Sequence, residues 1–304
     1  TSAWEPEVCK VHEPIVPATQ GDYALCESTW HNLTLLDYAW LSAISYLDGD
    51  AIQNATDLVL DEGWNHTHTY SQPYSVTFHE IVWENAHGEA PLAIYLVRGT
   101  YDLHDWAQNA DIWSQITMFQ AFSYFGLFTS FWPDYSVSAY IKVASSFEAL
   151  SPRGYGYYYT PLVERIEEYQ KNHPNATIVV TGHSLGGGLA KIAAAALKIQ
   201  SISFSSPGIY HTRAKLAYDI SVEDITTHTT TVMARHDIVP LIDKQMGAIQ
   251  WLTCTRGSDC HGITNTACNL LYVCGDEKGR YIHDIGDCEK VLKGRSYNGT
   301  CVKL

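Results

Sequence analysis

The chain has 304 residues, of which 46% are hydrophobic, 12% aromatic and 17% charged. That composition excludes collagen-like, low-complexity and largely disordered chains. Nineteen basic residues against 33 acidic ones leave a net charge of −14 with histidine neutral, which argues against capture of nucleic acid or loose adsorption to an anionic membrane surface.

Residues 1–30 carry Pro6, Pro14 and Pro17 with Cys9 and Cys26, and read as an extended arm stapled onto the body. The opening Thr1-Ser2-Ala3-Trp4-Glu5-Pro6 lacks the basic and apolar regions of a secretory signal. The expectation is a mature chain whose signal has been removed. Leu36, Ala39, Trp40, Ala43, Ile44 and Leu47 recur at helical spacing. Val76, Phe78, Ile81 and Trp83 alternate with polar residues, the pattern of a half-buried strand over 75–83. Leu92 to Val97 is continuously apolar and reads as a central strand.

The stretch from Ile116 to Trp132 holds no formal charge, yet it is short for a membrane-spanning helix and carries Gln120, Ser123, Thr129 and Ser130. It reads as a buried helix or part of an apolar binding wall, and no transmembrane segment is expected. Thr160 to Lys171 is an amphipathic helix with Leu162, Val163, Ile166 and Tyr169 on one side, broken by His173-Pro174-Asn175. A β-branched strand, Thr177 to Thr181, then runs into a glycine-rich turn and the helix formers Leu189 to Leu197. Ser201–Phe204 and Thr229–Met233 read as further strands. Strands alternating with helices predict an α/β fold, a mostly parallel sheet flanked by helices. No repeat or linker divides residues 1–304, so one domain is expected, closed by a cysteine-rich segment over 254–304.

Six of the eight cysteines, Cys254, Cys260, Cys268, Cys274, Cys288 and Cys301, fall in the last 51 residues. No CxxC occurs, and the gaps around His261 are loose for a zinc knuckle, so disulfides are the expectation. Disulfides imply an oxidising compartment. Five Asn-X-Ser/Thr sequons, at Asn32, Asn54, Asn65, Asn175 and Asn298, point the same way, to a secreted or luminal glycoprotein.

Gly182-His183-Ser184-Leu185-Gly186 matches G-x-S-x-G between a strand and a helix. That context makes a nucleophile elbow, in which a tight turn projects the serine Oγ. The flanking glycines avoid collisions with neighbouring backbone, and the helix N-terminus behind the serine offers unpaired N–H groups to an oxyanion. A serine hydroxyl needs a histidine base oriented by a carboxylate. Asp237 follows strand 229–234 directly, at the carboxyl edge where sites on α/β sheets form. Only His261 and His283 follow Asp237, and spacing alone does not choose between them.

Four segments resemble the class 3 lipases, the fungal-type secreted triacylglycerol lipases of α/β-hydrolase fold. Thr181–Gly187 is similar to the family's nucleophile motif and His236–Pro240 (HDIVP) to its acid motif. Arg98-Gly99-Thr100, with 101–112 behind it, resembles an oxyanion loop leading into a lid helix. The tail, with Cys254 and Cys260 forming a short loop, then His283, then a terminal Cys301, resembles the family's closing segment, in which the last cysteine pairs to the N-terminal region. The insertion between Cys268 and Cys274 departs from the fungal pattern and is closer to autophagic vacuolar phospholipases and secreted protist members. The resemblance implies Ser184 as nucleophile, Asp237 as acid and His283 as base, with His261 in reserve. It places Thr100 and the Leu185 N–H in the oxyanion hole. It further implies that Cys301 pairs with Cys9 or Cys26.

The resulting expectation is a monomeric serine carboxylic-ester hydrolase that cleaves acylglycerols at an apolar interface through an acyl-enzyme. No cofactor or metal is expected, since no HExxH or comparable cluster accompanies the fourteen histidines. A lid would span Thr100 to about Trp113, and Phe119, Phe122, Phe125, Phe128, Phe131 and Trp132 form an acyl-chain wall or ordinary core. The alternatives are a phospholipase, a feruloyl-type esterase or a catalytically dead lipase-like binding protein.

Overall fold

A computed structural model describes residues 7–10, 23–60, 63–73, 75–84, 90–99, 112–113, 133–148, 158–254, 260–276, 288 and 300–303. Its centre is a seven-stranded sheet. In chain order the strands are β4 (Trp64–Tyr70), β5 (Phe78–Trp83), β6 (Leu92–Val97), β7 (Thr177–His183), β8 (Gln200–Phe204), β9 (Thr229–Ala234) and β10 (Ala248–Leu252). Their spatial order, β10-β9-β8-β7-β6-β5-β4, is the reverse of the chain order, so every strand pairs with its neighbours in sequence. The five strands from β6 to β10 are parallel, and β5 and β4 add antiparallel to one edge.

Parallel strands are covered on both faces, and side chains alternate between the two. Ile94, Val179, Ile202, Phe204 and Val232 pack towards α1 (Leu35–Ile44), α2 (Asp50–Val59) and α7 (Ile263–Cys274). Tyr95, Ile178 and Val180 pack on the other face, towards α3 (Asp134–Glu148), α4 (Thr160–Asn172), α5 (Leu185–Leu197) and α6 (Val222–His228). Helix α1 begins with a capping box: the Thr34 hydroxyl accepts from the Asp37 N–H at 3.2 Å, and the Asp37 carboxylate accepts from the Thr34 N–H at 2.6 Å. This satisfies donors that a helix start otherwise leaves open.

The alternation over 75–83 predicts a half-buried strand, but the structure buries β5 from Phe78 through Val82. Its polar positions are paired internally. His79 bonds to Thr69 Oγ1 at 2.9 Å and to the Ser45 carbonyl at 3.2 Å. Glu80 accepts from Arg165 Nε at 3.0 Å, Tyr95 Oη at 2.7 Å and Thr67 Oγ1 at 2.7 Å. A polar residue that finds such partners can occupy a buried position.

Among the described residues there are three disulfides, one from the N-terminal part to the tail and two within the tail. Cys26–Cys274 joins the 3₁₀ turn Ala24–Glu27 to the end of α7, Cys268–Cys288 anchors a later segment to α7, and Cys254–Cys260 closes a short loop after β10. Cys26 is therefore not the partner of Cys301. Strands β1 (Glu7–Lys10) and β11 (Thr300–Lys303) pair antiparallel with Cys9 directly opposite Cys301. Among the described residues, no helix is long and apolar enough to cross a membrane. The apolar stretch 114–132 lies outside them.

Candidate active site

The strand-to-helix turn forms as the sequence dictates. β7 ends at His183, α5 begins at Leu185, and Ser184 between them has φ 57° and ψ −129°. A non-glycine residue held there is strained, and the surrounding packing must fix it. The Ser184 N–H donates to the Phe204 carbonyl at 2.9 Å, prolonging the ladder by one bond before the chain turns. Both motif glycines are sterically required. A Cβ on Gly182 would lie 2.7 Å from the Val97 carbonyl oxygen, and one on Gly186 would run into the carbonyls of Val97 and Arg98.

Strand β9 delivers the acid. After Ala234 the chain passes through Arg235 and His236, which has φ 68°, and places Asp237 beside the elbow. Asp237 is buried, and its Oδ1 accepts the Val239 N–H at 3.0 Å.

The histidine that meets both residues is His261. Its Nε2 lies 2.9 Å from Ser184 Oγ, and its Nδ1 lies 3.1 and 3.0 Å from the two carboxylate oxygens of Asp237. An ionised carboxylate only accepts, so Nδ1 carries the hydrogen and Nε2 presents a lone pair to the serine hydroxyl. The His261 side chain is 29% exposed whereas that of Asp237 is 1% exposed, so the base reaches solvent while the acid does not. The resemblance had favoured His283 for this place. The described structure instead seats His261 there, and His283 lies outside the described residues.

Of the expected oxyanion donors, Leu185 is the first residue of α5 and buried, with the N–H of a helix's first turn free of intrahelical acceptors. Thr100 lies outside the described residues. Gly99 before it packs onto the elbow, where an added Cβ would come within 3.3 Å of Ser184 Cβ. Of the expected lid only Ile112 and Trp113 are described. Trp113 is fully buried and donates from Nε1 to the Gly208 carbonyl at 2.7 Å. The aromatic wall over 119–132 also lies outside them.

Two further buried residues support the site, His183 by direct contact with His261 and Lys191 from behind the acid loop, and the sequence alone gave neither a role. His183 is buried, its Nδ1 is 2.8 Å from Tyr46 Oη, and its Nε2 is 2.6 Å from the His261 carbonyl oxygen. Burial pushes its pKa down to about 3, so the ring is neutral at ordinary pH. Lys191 in α5 is also buried, with its ammonium pKa lowered to about 7 by desolvation. Lys191 donates to the Pro207 carbonyl at 3.0 Å and to Gln245 Oε1 at 2.7 Å. Gln245 in turn donates to the carbonyls of Ser206 and Pro240 at 2.8 and 2.9 Å, bracing the loop that carries Asp237.

Beside the acid lies an open depression of about 360 Å³ lined by Arg235, His236, Asp237, Ile238, Leu241 and Trp251. Ile238, Leu241 and Trp251 are 66%, 60% and 41% exposed, a cluster of large apolar groups at the edge of the triad. Among the described residues, no group of three His, Cys, Asp or Glu side chains could hold a metal ion.

The family model described as Lipase (class 3) matches residues 94–246, half of the chain. A mutant MDLA structure from Penicillium cyclopium is similar at 14% identity and a TM-score of 0.44, covering 73% of this chain and 80% of that one. The Rhizomucor miehei lipase propeptide complex is 15% identical with a TM-score of 0.40, over 91% and 96% of the two chains. The mono- and diacylglycerol lipase of Aspergillus oryzae is 16% identical with a TM-score of 0.37, over 71% and 76%. No curated protein sequence matches the chain.

Proposed function

The chain belongs to the class 3 lipases, ester hydrolases of α/β-hydrolase fold, and we propose that it cleaves the acyl ester bonds of acylglycerols through a covalent acyl-serine. The observation that carries this reading is the unbroken chain of hydrogen bonds from Ser184 Oγ through His261 to Asp237. In this account His261 Nε2 takes the Ser184 proton as Oγ attacks the ester carbonyl carbon. Asp237 holds the ring in the required tautomer and stabilises the imidazolium that forms. The Leu185 N–H, at the positive end of α5, stabilises the negative oxygen of the tetrahedral intermediate, a role that the resemblance to the family also gives Thr100.

Collapse of that intermediate breaks the bond to the alcohol oxygen, and His261 returns the proton so that the alcohol leaves neutral. Water then enters, loses a proton to His261 and attacks the acyl carbon. The fatty acid departs and Ser184 is restored.

The exposed Ile238, Leu241 and Trp251 beside the acid favour a lipid ester over a compact phenolic one, because an acyl chain needs apolar surface next to the reacting carbonyl. With a net charge of −14, contact with a lipid phase rests on such groups. Three disulfides and the exposed sequon residues Asn32, Asn54, Asn65 and Asn175 support a secretory or extracellular location.

The test compares an emulsified long-chain triacylglycerol, a phospholipid and a short soluble ester, with wild type and Ser184→Ala. Dominant triacylglycerol turnover that vanishes in Ser184→Ala is expected. Turnover of the phospholipid alone or of the soluble ester alone would replace the substrate class, and activity retained in Ser184→Ala would end the mechanism.

A further inference from the structure

The base sits on a segment outside the sheet. His261 lies between the Cys254–Cys260 loop and the start of α7, whereas Ser184 follows β7 immediately and Asp237 follows β9 after Arg235 and His236. Strand pairing thus fixes the nucleophile and the acid, and something else must register the base against them. We infer that His183 and Tyr46 are positioning residues that hold the peptide of His261 through a buried relay, Tyr46 Oη–H to His183 Nδ1 and His183 Nε2–H to the His261 carbonyl oxygen. This rests on the reading of Ser184, His261 and Asp237 as the catalytic triad.

The donor directions follow from chemistry. A carbonyl oxygen can only accept, so the 2.6 Å contact to His261 puts the hydrogen on His183 Nε2. A neutral imidazole has one N–H, so Nδ1 is a bare acceptor, and the hydroxyl of Tyr46 at 2.8 Å must donate to it. Tyr46 thereby selects the tautomer that can hold His261. Without that donor, the alternative tautomer would turn a lone pair on Nε2 towards the carbonyl.

Both ends of the relay are anchored in rigid structure. His183 is the last residue of β7 and pairs in register with Phe204 of β8. Tyr46 follows α1, which is pinned to the same strand where Ser42 Oγ meets Thr181 Oγ1 at 2.8 Å. The Tyr46 hydroxyl also packs against Gly99, so one group touches the backbone before Thr100 and steers the base.

Neutrality matters as much as position. The rings of His183 and His261 are 4.8 Å apart between centroids. A charged His183 would oppose the imidazolium that forms on His261 during catalysis. Burial removes that charge down to about pH 3. Asp237, the other ionisable group bonded to His261, supplies the compensating negative charge.

The experiment measures kcat, KM and the rate of fluorophosphonate labelling for Tyr46→Phe, His183→Ala, His183→Gln and His261→Ala. A displaced base slows acylation without altering ester binding, so His183→Ala should lose about tenfold to a hundredfold in kcat with KM little changed. Labelling should slow in parallel. His183→Gln keeps an N–H near Nε2 and should recover most of that loss, and Tyr46→Phe should fall between. Unchanged kcat in Tyr46→Phe and His183→Ala, or equal losses in the Ala and Gln variants, would overturn the relay. If His261→Ala keeps its labelling rate, the triad reading fails instead. If it loses labelling while the His183 and Tyr46 variants match wild type, the relay alone fails.

Discussion

Cys260 and His261 are adjacent, so the disulfide from Cys260 to Cys254 ends one peptide bond before the imidazole that bonds to Ser184 Oγ. That bridge spans a sequence separation of 6, whereas Cys26–Cys274 spans 248. On the loop-entropy account the short bridge is worth about 2 kcal/mol and the long one about 5 kcal/mol. The two should therefore separate by function. A Cys254→Ser/Cys260→Ser variant should lose more in kcat than in melting temperature, and Cys26→Ser/Cys274→Ser should do the reverse. Parallel melting curves and kinetics check this.

Cys9 and Cys301 occupy paired register positions of β1 and β11, and backbones at opposite positions of an antiparallel pair lie within the reach of a disulfide. Peptide mapping under non-reducing conditions should recover a Cys9–Cys301 cross-link. A Cys301 peptide joined to Cys26 would contradict the register.

Gly186→Ala should be severely destabilising, because the new methyl group would meet the backbone carbonyls of Val97 and Arg98, with no flexible side chain to give way. Overpacking against backbone at the end of a central strand costs at least about 2 kcal/mol. Denaturant unfolding of the variant would measure the loss, and a midpoint equal to wild type would refute the close approach.

Acid should weaken the fold before the carboxylates begin to titrate. Burial lowers the pKa of His183 to about 3 and that of His79 to about 4, against about 6.5 in the unfolded chain. Between those values the unfolded state binds protons that the folded state refuses, so stability is full above pH 6.5 and falls as the pH drops below it. Urea midpoints should decline from pH 7 to pH 5, and more gently in His79→Gln. A flat profile would show that neither ring is held neutral.

Two of the exposed sequon residues, Asn65 and Asn175, share one end of the central sheet. The sheet register runs Asn65–Val82–Ala93–Ile178, which puts Asn65 level with the start of β7, and Asn175 lies just before that strand. Ser184 lies beyond its other end. Glycans carried there would stand away from the triad. The variants Asn65→Gln and Asn175→Gln, secreted from a eukaryotic host, should therefore keep the wild-type kcat on an emulsion, and a fall in kcat would contradict the separation.

What the sequence revealed about this site was what could be encoded locally. The elbow was legible because strand, glycines, serine and helix are contiguous, and Asp237 because it follows a β-branched strand directly. Several elements were less visible. β4 is an exposed edge strand, Trp-Asn-His-Thr-His-Thr-Tyr, with little apolar content to mark it. Helix α7 carries two cysteines that draw attention to cross-linking rather than to helical spacing. The base was not legible for a different reason. His261 and His283 both follow Asp237, and spacing alone does not choose between them, while the likeness of the tail to the family points to His283. Only three-dimensional placement brings one of them to Ser184 and Asp237. Tyr46 was invisible in the same way, being 137 residues from the histidine it bonds.

The central claim is that His261 is the general base, and the most direct measurement is the rate of Ser184 labelling by a fluorophosphonate in wild type, His261→Ala and His283→Ala. Loss of the base should slow labelling by roughly a thousandfold or more in His261→Ala, with His283→Ala close to wild type. Labelling retained in His261→Ala and abolished in His283→Ala would contradict the account and move the base to the later histidine.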